Sequence, residues 1–107
     1  MNVPRVLFLD DEINILKSLK RVLHLHCRDW QFEFCTSPVD ALSLLLTFDP
    51  WVVVSDKLMP EMDGGDFLRL VSEKKPAAVR VLLTGDTSPE VALEVSDVVH
   101  MLIAKPF

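Results

Sequence analysis

Segments rich in apolar residues alternate along this chain with stretches whose apolar residues recur at helical spacing. Short runs almost free of polar residues are typical of buried strands, whereas apolar residues at every third or fourth position are typical of helices packed on one face. The alternation of strand and helix predicts an α/β fold with a parallel sheet. The predicted strands are residues 4–9, 30–36, 51–55, 79–83 and 99–104, and the predicted helices are residues 12–27, 37–48, 64–75 and 88–95.

The second predicted strand differs from the others because its polar and apolar residues alternate. Trp30, Phe32 and Phe34 would share one face of the strand, with Gln31 and Glu33 on the other face. A strand that is half polar suits the edge of a sheet better than its centre, so we expect this segment at an edge.

Two of the predicted helices open with the same dipeptide, Ser37-Pro38 and Ser88-Pro89. Serine is a favourable N-cap residue because its hydroxyl can accept a hydrogen bond from a free backbone N–H, and proline is tolerated at the first helical position. We therefore expect both helices to be capped by their serines.

Composition limits the functions that the chain can have. Its 107 residues suit a single domain, and no apolar run approaches the ~20 residues of a membrane span. The net charge of −5 argues against a nucleic-acid-binding surface, which normally carries a basic stripe. The first residues lack the layout of a signal peptide, so a cytoplasmic location is expected. Cys27 and Cys35 form no disulfide framework and are expected to be reduced thiols.

Chemically active residues stand at the ends of four of the predicted strands. In a parallel sheet these carboxyl ends lie at one edge, which is where open α/β sheets bind ligands. The edge would gather three carboxylates, a hydroxyl and an ammonium. The residues are Asp10 and Asp11 after the first strand, Asp56 after the third, Thr84 and Gly85 after the fourth, and Lys105 after the fifth.

Three carboxylates held close together repel one another unless a cation neutralises them. A set of oxygen ligands favours Mg²⁺, with Mn²⁺ as an alternative. Asp56 is the candidate nucleophile, because a carboxylate can form an aspartyl phosphate. Lys105 would offer positive charge to one phosphoryl oxygen and Thr84 a hydrogen bond to another, while Gly85 would leave the approach open.

Four motifs span nearly the whole chain: Leu9-Asp10-Asp11-Glu12, Asp56 with Met59-Pro60 and Met62-Asp63-Gly64, Leu83-Thr84-Gly85, and Lys105-Pro106-Phe107. With these motifs the chain resembles the receiver domains of bacterial two-component response regulators. The resemblance implies a five-stranded parallel sheet in the order 2-1-3-4-5 with helices on both faces. It also implies phosphoryl transfer to Asp56 from a phosphohistidine on a sensor histidine kinase or phosphotransfer protein.

The same resemblance implies the ligands of the metal ion. Mg²⁺ would be bound by Asp11, Asp56 and the backbone carbonyl of Leu58, with Asp10 acting through water. The resemblance also implies a cis peptide bond before Pro106, which is uncommon enough to be a specific feature.

Three positions bear on how such a domain would switch. The family's switch residue, three positions before the lysine, is commonly Tyr or Phe, but this chain has Leu102, so we expect a weaker or differently built switch. Leu58 and Asp86 occupy the two positions that tune the lifetime of the phosphoryl group in the family. Leu58 could shield an acyl phosphate from water, whereas the sign of the effect of Asp86 is left open.

The chain is short for this family, because the fifth helix that would follow Lys105-Pro106 is missing. Its loss predicts bare apolar surface on the first, third and fourth strands, and exposed apolar patches promote association. We expect residues 1–107 to be a C-terminally truncated receiver domain that self-associates or is poorly stable, with an output domain beyond residue 107.

Two other functions share part of this residue set. A haloacid-dehalogenase-type hydrolase also uses a nucleophilic aspartate with Mg²⁺. That group of enzymes has a D-x-D motif after the first strand, whereas this chain has Asp10-Asp11-Glu12. A phosphorylation-independent adaptor would keep the fold without the chemistry, and Leu102 keeps this alternative open. In the leading interpretation the domain is a phosphoacceptor rather than an enzyme, and any output enzyme lies outside this chain.

Overall fold

A computed structural model describes residues 3–105 of the chain. The described residues form one sheet of five strands, flanked by four helices. The strands are β1 (Arg5–Leu9), β2 (Gln31–Cys35), β3 (Val52–Asp56), β4 (Val79–Thr84) and β5 (Met101–Ala104). The helices are α1 (Ile13–His26), α2 (Pro38–Thr47), α3 (Gly64–Lys74) and α4 (Pro89–Val95).

All the strand pairs are parallel, and the strand order is β2-β1-β3-β4-β5. The fold and the strand order predicted from the sequence are therefore confirmed. The chain moves outward from β1 to β2 and then crosses back to β3 on the other side of β1. Because such crossovers are right-handed, α1 lies on one face of the sheet and α2, α3 and α4 on the other. The direction reverses between β1 and β3, which places a topological switch point beside Asp10 and Asp56.

The larger part of the hydrophobic core lies between the sheet and the face that carries α2, α3 and α4. Each central strand contributes fully buried side chains to this core, and α3 contributes its whole inner face. The largest of these side chains are Phe67, Leu7, Leu9, Leu45, Leu68 and Leu82. This packing fixes β1 and β3 against each other, and so fixes the strand ends that carry the acidic residues.

The opposite face of the central strands is covered, contrary to the prediction of bare surface. Val6, Val54, Val81 and Leu83 are all buried, and they form a second apolar cluster. The parallel register sets Val54 beside Val81, and partly buried apolar residues of neighbouring strands pack against the cluster, so these side chains shield one another. Exposed apolar side chains occur at the rim of this face, at Val79 and Met101.

The element boundaries agree with the sequence prediction to within two residues. The largest difference is at β5, which begins at Met101 rather than at residue 99, because the amides of Val98 and Val99 still donate to Val95 at the end of α4. Ser88 caps α4 with its side chain, as predicted. Ser37 stands at the N-cap of α2, but its side chain makes no capping hydrogen bond.

Two further sequence predictions concern the ends of the chain and the membrane. The predicted cis peptide bond at Pro106 lies outside the described residues. Among residues 3–105, none of the helices has both the length and the apolar character that crossing a membrane requires.

Candidate functional site

Three carboxylates converge at the carboxyl edge of the sheet. Asp10 and Asp11 follow β1, and Asp56 is the last residue of β3. One carboxylate oxygen from each residue lies within 4.8 Å of the other two. Asp10 and Asp56 are almost fully buried, at 2% and 5% exposure, whereas Asp11 is exposed. The structure thus brings together the three acids that the sequence placed at separate strand ends.

Lys105 supplies the positive charge at this cluster. Its ammonium donates a hydrogen bond of 2.8 Å to Oδ1 of Asp56 and lies 3.6 Å from Oδ2 of Asp10. The backbone N–H of Lys105 donates to the carbonyl of Thr84, which extends the β4–β5 pairing by one residue and places the side chain over the cluster. Burial alone would lower the pKa of Lys105, but the hydrogen bond to Asp56 and the nearby Asp10 outweigh it and raise that pKa.

Asp10 is held in place through only one of its two carboxylate oxygens. Oδ1 accepts a hydrogen bond of 2.9 Å from the backbone N–H of Glu12. Oδ2 is buried and, within residues 3–105, accepts no hydrogen bond. Burial raises the pKa of Asp10, and the neighbouring charge of Asp56 adds to that effect, although the bond from Glu12 works against it.

The orphaned oxygen of Asp10 tests whether a metal ion fits this site. A buried carboxylate oxygen without a donor is costly, and a cation at the centre of the cluster would satisfy it. The three carboxylates and the single ammonium leave a formal charge of −2, which one divalent ion neutralises. All the donors are oxygens, the chemistry that Mg²⁺ prefers. The residues present therefore fit Mg²⁺.

Thr84 lies at the end of β4 beside this cluster, but its hydroxyl is engaged elsewhere. It accepts a hydrogen bond of 3.0 Å from the backbone N–H of Asp86 and donates one of 3.2 Å to the carbonyl of the same residue. A Cβ placed on Gly85 would meet no atom within 4 Å, so the approach beside it is open. The hydroxyl must give up the bond that it donates to the Asp86 carbonyl before it can donate to a group bound at Asp56.

Asp86 also organises the start of α4. Its Oδ1 accepts a hydrogen bond from the backbone N–H of Ser88, and this bond holds the pKa of Asp86 below its usual range. Ser88 in turn accepts from Val91 within the first turn of the helix. A movement of Thr84 is therefore linked to the N-terminus of α4 through a short chain of hydrogen bonds.

The loop between β3 and α3 contains contacts that the sequence analysis missed. Lys57 and Asp63 form a salt bridge, and Oδ1 of Asp63 caps α3 by accepting from Gly65 at 2.7 Å. The backbone N–H of Gly64 donates to the carbonyl of Lys57 at 2.8 Å. A Cβ on Gly64 would lie only 2.0 Å from the carbonyl oxygen of Asp56, so glycine alone fits there. The sequence Asp63-Gly64-Gly65, an N-cap residue before two glycines, was the available signal.

The remaining predicted positions occupy different surroundings. The side chain of Leu58 is 77% exposed beside the cluster. Within residues 3–105, its carbonyl accepts no backbone hydrogen bond, whereas the carbonyl of Lys57 is already engaged. Leu102 is half-buried and packs against the main core on the side of the sheet that carries α4.

The doubly wound sheet, with an acidic cluster at its switch point, defines a flavodoxin-like α/β domain of the chemotaxis-regulator type. The family model for the response regulator receiver domain matches residues 6–107. This chain therefore belongs to the response regulator receiver domain family, the signalling domains of two-component systems.

Curated relatives contain this domain within longer chains. The chain is 35% identical over 93 residues to protein-glutamate methylesterase/protein-glutamine glutaminase 3 of Rhodospirillum rubrum. The matched region covers 86% of this chain and 25% of the relative. It is 30% identical over 105 residues to the C4-dicarboxylate transport transcriptional regulatory protein DctD of Rhizobium meliloti, covering 97% of this chain and 22% of the relative. The chain thus spans about a quarter of the length of these relatives.

Solved structures of similar proteins agree with the fold. The chemotaxis protein CheY4 of Vibrio cholerae superposes with a TM-score of 0.90 at 28% identity, covering 99% of this chain and 89% of that one. The signal receiver domain of an HD domain-containing protein from Pseudomonas fluorescens Pf-5 gives a TM-score of 0.89 at 26% identity, covering 99% and 85%.

Proposed function

We propose that this chain is a phosphoacceptor signalling domain, in which Asp56 receives a phosphoryl group from a phosphohistidine of a sensor histidine kinase or phosphotransfer protein. The observation that carries the proposal is the 2.8 Å contact between the ammonium of Lys105 and the carboxylate of Asp56 inside a cluster of three acids. A nucleophilic carboxylate, a nearby cation and an oxygen-rich metal site are the parts that phosphoryl transfer needs.

Asp10, Asp11 and Asp56, together with the backbone carbonyl of Leu58, would hold Mg²⁺. The orphaned Oδ2 of Asp10 and the unengaged carbonyl of Leu58 support this ligand set. When bound, the ion supplies positive charge that offsets the carboxylates and the incoming phosphoryl oxygens. Mn²⁺, which shares the oxygen preference, is the alternative.

In the proposed step a carboxylate oxygen of Asp56 forms a bond to phosphorus as the bond from phosphorus to the donor imidazole nitrogen breaks. The electron pair of the broken bond stays on that nitrogen, and Asp56 becomes an aspartyl phosphate. Lys105 exchanges its contact with the carboxylate for one with a phosphoryl oxygen. Thr84 releases Asp86 and donates its hydroxyl to another phosphoryl oxygen.

We infer that the release of Asp86 carries the signal. Phosphorylation adds acceptor oxygens at Asp56, and these compete with Asp86 for the hydroxyl of Thr84. The first turn of α4 is tied to Asp86 through Ser88, so it is the element that would respond. Leu102 lies on the same face and offers no aromatic ring to follow the hydroxyl, which is why we expect a weaker switch. The exposed Leu58 would tune the lifetime of the acyl phosphate.

The partners follow from the same proposal. The kinase or phosphotransfer protein supplies the phosphoryl group, and an output domain beyond residue 107 or a separate protein receives the signal. Regulators such as DctD, which matches this chain over 22% of its own length, support the expectation of further domains. A cytoplasmic location and self-association of the isolated chain belong to the proposal as well. We do not propose that this domain binds nucleic acid or a membrane.

Incubation of the chain with acetyl phosphate and Mg²⁺, followed by intact mass spectrometry, tests the proposal. We expect a single phosphoryl adduct that disappears with EDTA and with the Asp56→Asn variant. The matched control is Asp97→Asn, which removes an exposed acid that pairs with Arg69 and should leave the adduct unchanged. Continuous phosphate release over many turnovers would favour the hydrolase, and no adduct under any condition would favour the phosphorylation-independent adaptor.

A further inference from the structure

We propose that a groove between α1 and β2 is a docking site for an acidic protein segment that carries one apolar side chain. We call it the α1–β2 groove. Lys20 and His24 of α1 and Arg28 just after it line one side, and the aromatic residues of β2, with Trp30 just before it, line the other side. Its volume is about 150 Å³. This proposal goes beyond phosphoacceptor chemistry and does not depend on it.

The charge of the groove sets it apart from the rest of the molecule. Residues 13–28 contain four of the eleven Lys and Arg residues and no Asp or Glu, in a chain whose net charge is −5. The four cations are Lys17, Lys20, Arg21 and Arg28, of which Lys20 and Arg28 line the groove. Each of the described salt bridges involves some other cation, so in residues 3–105 none of these four has a carboxylate within 4 Å. A strip of unneutralised positive charge on an acidic protein selects a negatively charged partner.

The sheet side of the groove is a ladder of aromatic rings. Trp30 stacks on Phe32 with ring centroids 6.3 Å apart, and Phe32 lies 6.1 Å from Phe34. Trp30 is 46% exposed. Aromatic side chains that are both rigid and exposed are common anchors of protein interfaces. The groove therefore combines an apolar wall with a cationic wall, and the partner needs both kinds of group.

The size of the groove limits what can enter it. Small-molecule sites usually enclose about 300–1,000 Å³, so a volume near 150 Å³ suits a single side chain. β2 is an edge strand, and one row of its backbone N–H and C=O groups faces away from β1. An extended segment could pair with this row while it places one apolar side chain between the walls. We therefore expect the partner to be such a segment, with Asp or Glu on either side of the apolar residue.

The position of the groove leaves the acidic cluster accessible. α1 starts beside the cluster and runs away from it, and at 1.5 Å per residue His24 lies ~18 Å along the helix from Glu12. A segment bound in the groove would therefore not cover Asp56. The surface suits a partner that is held on the domain while the phosphoacceptor site reacts.

The direct test is a binding titration of the full chain with a synthetic twelve-residue peptide that has one Leu flanked by Asp and Glu residues. The fluorescence of Trp30 reports binding in a Trp51→Phe background, because Trp51, the other tryptophan of the chain, does not line the groove. We expect saturable binding that weakens as salt is added. The same peptide with Leu replaced by Ser, and one with every acid replaced by Lys, should each bind at least about tenfold more weakly.

A matched pair of charge reversals separates the groove from the helix as a whole. Lys20→Glu/Arg28→Glu should weaken binding of the acidic peptide at least about tenfold. Lys17→Glu/Arg21→Glu makes the same change of charge on exposed positions that do not line the groove, and it should change affinity no more than about twofold. Circular dichroism and the thermal midpoint of each variant establish that both remain folded.

A chemical footprint gives an independent readout. Cys27 lines the groove and is partly exposed, whereas Cys35 is buried and burial raises the pKa of its thiol to about 11. Because the thiolate is the reactive form, iodoacetamide should label Cys27 far faster than Cys35. The bound acidic peptide should slow the labelling of Cys27, and the lysine peptide should not.

Several results would overturn the proposal. They are an acidic peptide that fails to bind at millimolar concentration, equal weakening by the two double variants, and equal binding of the lysine peptide. Tighter binding of twelve-residue oligothymidylate would assign the groove to nucleic acid instead. Self-association that Lys20→Glu/Arg28→Glu abolishes, in the absence of peptide, would assign it to a second copy of this chain.

Discussion

Lys105 and Asp56 lie 49 positions apart in sequence, yet the ammonium of one donates a 2.8 Å hydrogen bond to the carboxylate of the other. The contact exists because β5 and β3 both pair with β4, so their carboxyl ends reach the same edge of the sheet. This hydrogen bond engages Oδ1 of Asp56, the residue that we propose as the nucleophile. The resting protein thus holds the proposed phosphoacceptor with the same cation that, in the proposal, later binds the phosphoryl group.

Lys105→Ala should separate metal binding from phosphorylation. Removal of the ammonium takes away repulsion of Mg²⁺, worth on the order of 1 kcal/mol at a partly exposed site, so the affinity for Mg²⁺ should rise about fivefold. The yield of the aspartyl phosphate should fall, because a phosphoryl oxygen loses its partner. Calorimetric titration measures the first effect and intact mass the second. Lys74→Ala, at an exposed lysine of α3, is the control and should change neither.

Asp10→Asn should stabilise the metal-free protein. Because the pKa of Asp10 is raised in the folded state, its charged form disfavours folding at neutral pH, and this cost disappears as pH falls through that raised value. The amide keeps an oxygen for Glu12 and can donate to a neighbouring carboxylate in place of the orphaned Oδ2.

We expect the thermal midpoint of Asp10→Asn in EDTA to rise by about 4 °C, which corresponds to ~1 kcal/mol in a domain of this size. Added Mg²⁺ should raise the midpoint of the original protein more than that of the variant. A variant that is less stable in EDTA would contradict the interpretation of Asp10 as a charge whose burial costs stability when no metal is bound.

Two glycines near the site should respond in opposite ways to alanine. At Gly64 the new methyl group would lie 2.0 Å from the carbonyl oxygen of Asp56, so we expect Gly64→Ala to lower the free energy of unfolding by about 2–4 kcal/mol. Gly85→Ala has open space around it and no positive φ, so its effect should stay within about 0.5 kcal/mol. Urea denaturation of the pair provides the measurement, and equal losses would contradict the steric argument.

Arg80 is a buried cation that pairs with no carboxylate among residues 3–105, and its substitution should be costly. The guanidinium donates to the backbone carbonyls of Val98, Ala78 and Pro76 at 2.6, 3.0 and 3.2 Å. Arg80→Met removes these donors and leaves buried carbonyls unsatisfied, so we expect a loss of about 2–3 kcal/mol in urea denaturation. Arg69→Met removes an exposed arginine of α3 and should cost less than about 1 kcal/mol.

Beryllofluoride with Mg²⁺, a mimic of the phosphoryl group, should change the amide chemical shifts of Thr84, Asp86 and Ser88 most strongly. The reason is that the hydroxyl of Thr84 must exchange the bond that it donates to the Asp86 carbonyl for one to the mimic, which disturbs its pairing with the Asp86 N–H. Shifts around Leu102 should be smaller, because an aliphatic side chain half-buried against the core has no ring to reorient. Large rearrangement around Leu102, with Thr84 unchanged, would contradict the proposed switch.

The residue patterns were sufficient to predict the parallel sheet and the acids that meet at its edge, and the resemblance to receiver domains supplied the strand order. Apolar runs such as residues 51–55 identify a strand and the residue at its end without any knowledge of long-range contacts. Parallel topology then brings Asp10, Asp56 and Lys105 to one edge, whatever their separation in sequence. The aromatic alternation of Trp30 and Phe32 was likewise enough to place β2 at the edge.

Predictions failed where the result depends on packing between elements. The second face of the sheet was expected to be bare, but Val54 and Val81 shield each other across neighbouring strands. Ser37 has the residue type of a side-chain cap without the orientation for one. Loop geometry sets the hydrogen bonds between Asp86 and Thr84, and it also sets the close approach of Gly64 to Asp56. Residue patterns specify such geometry poorly.

Lys105 is joined to two strands at once, through its backbone to Thr84 on β4 and through its side chain to Asp56 on β3. The proposed phosphorylation of Asp56 would therefore change a contact that joins β3 to the residue after β5, in addition to the charge of the site. Because Lys105 is also bonded through its backbone to β4, three adjacent strands meet at the residue whose partner would change.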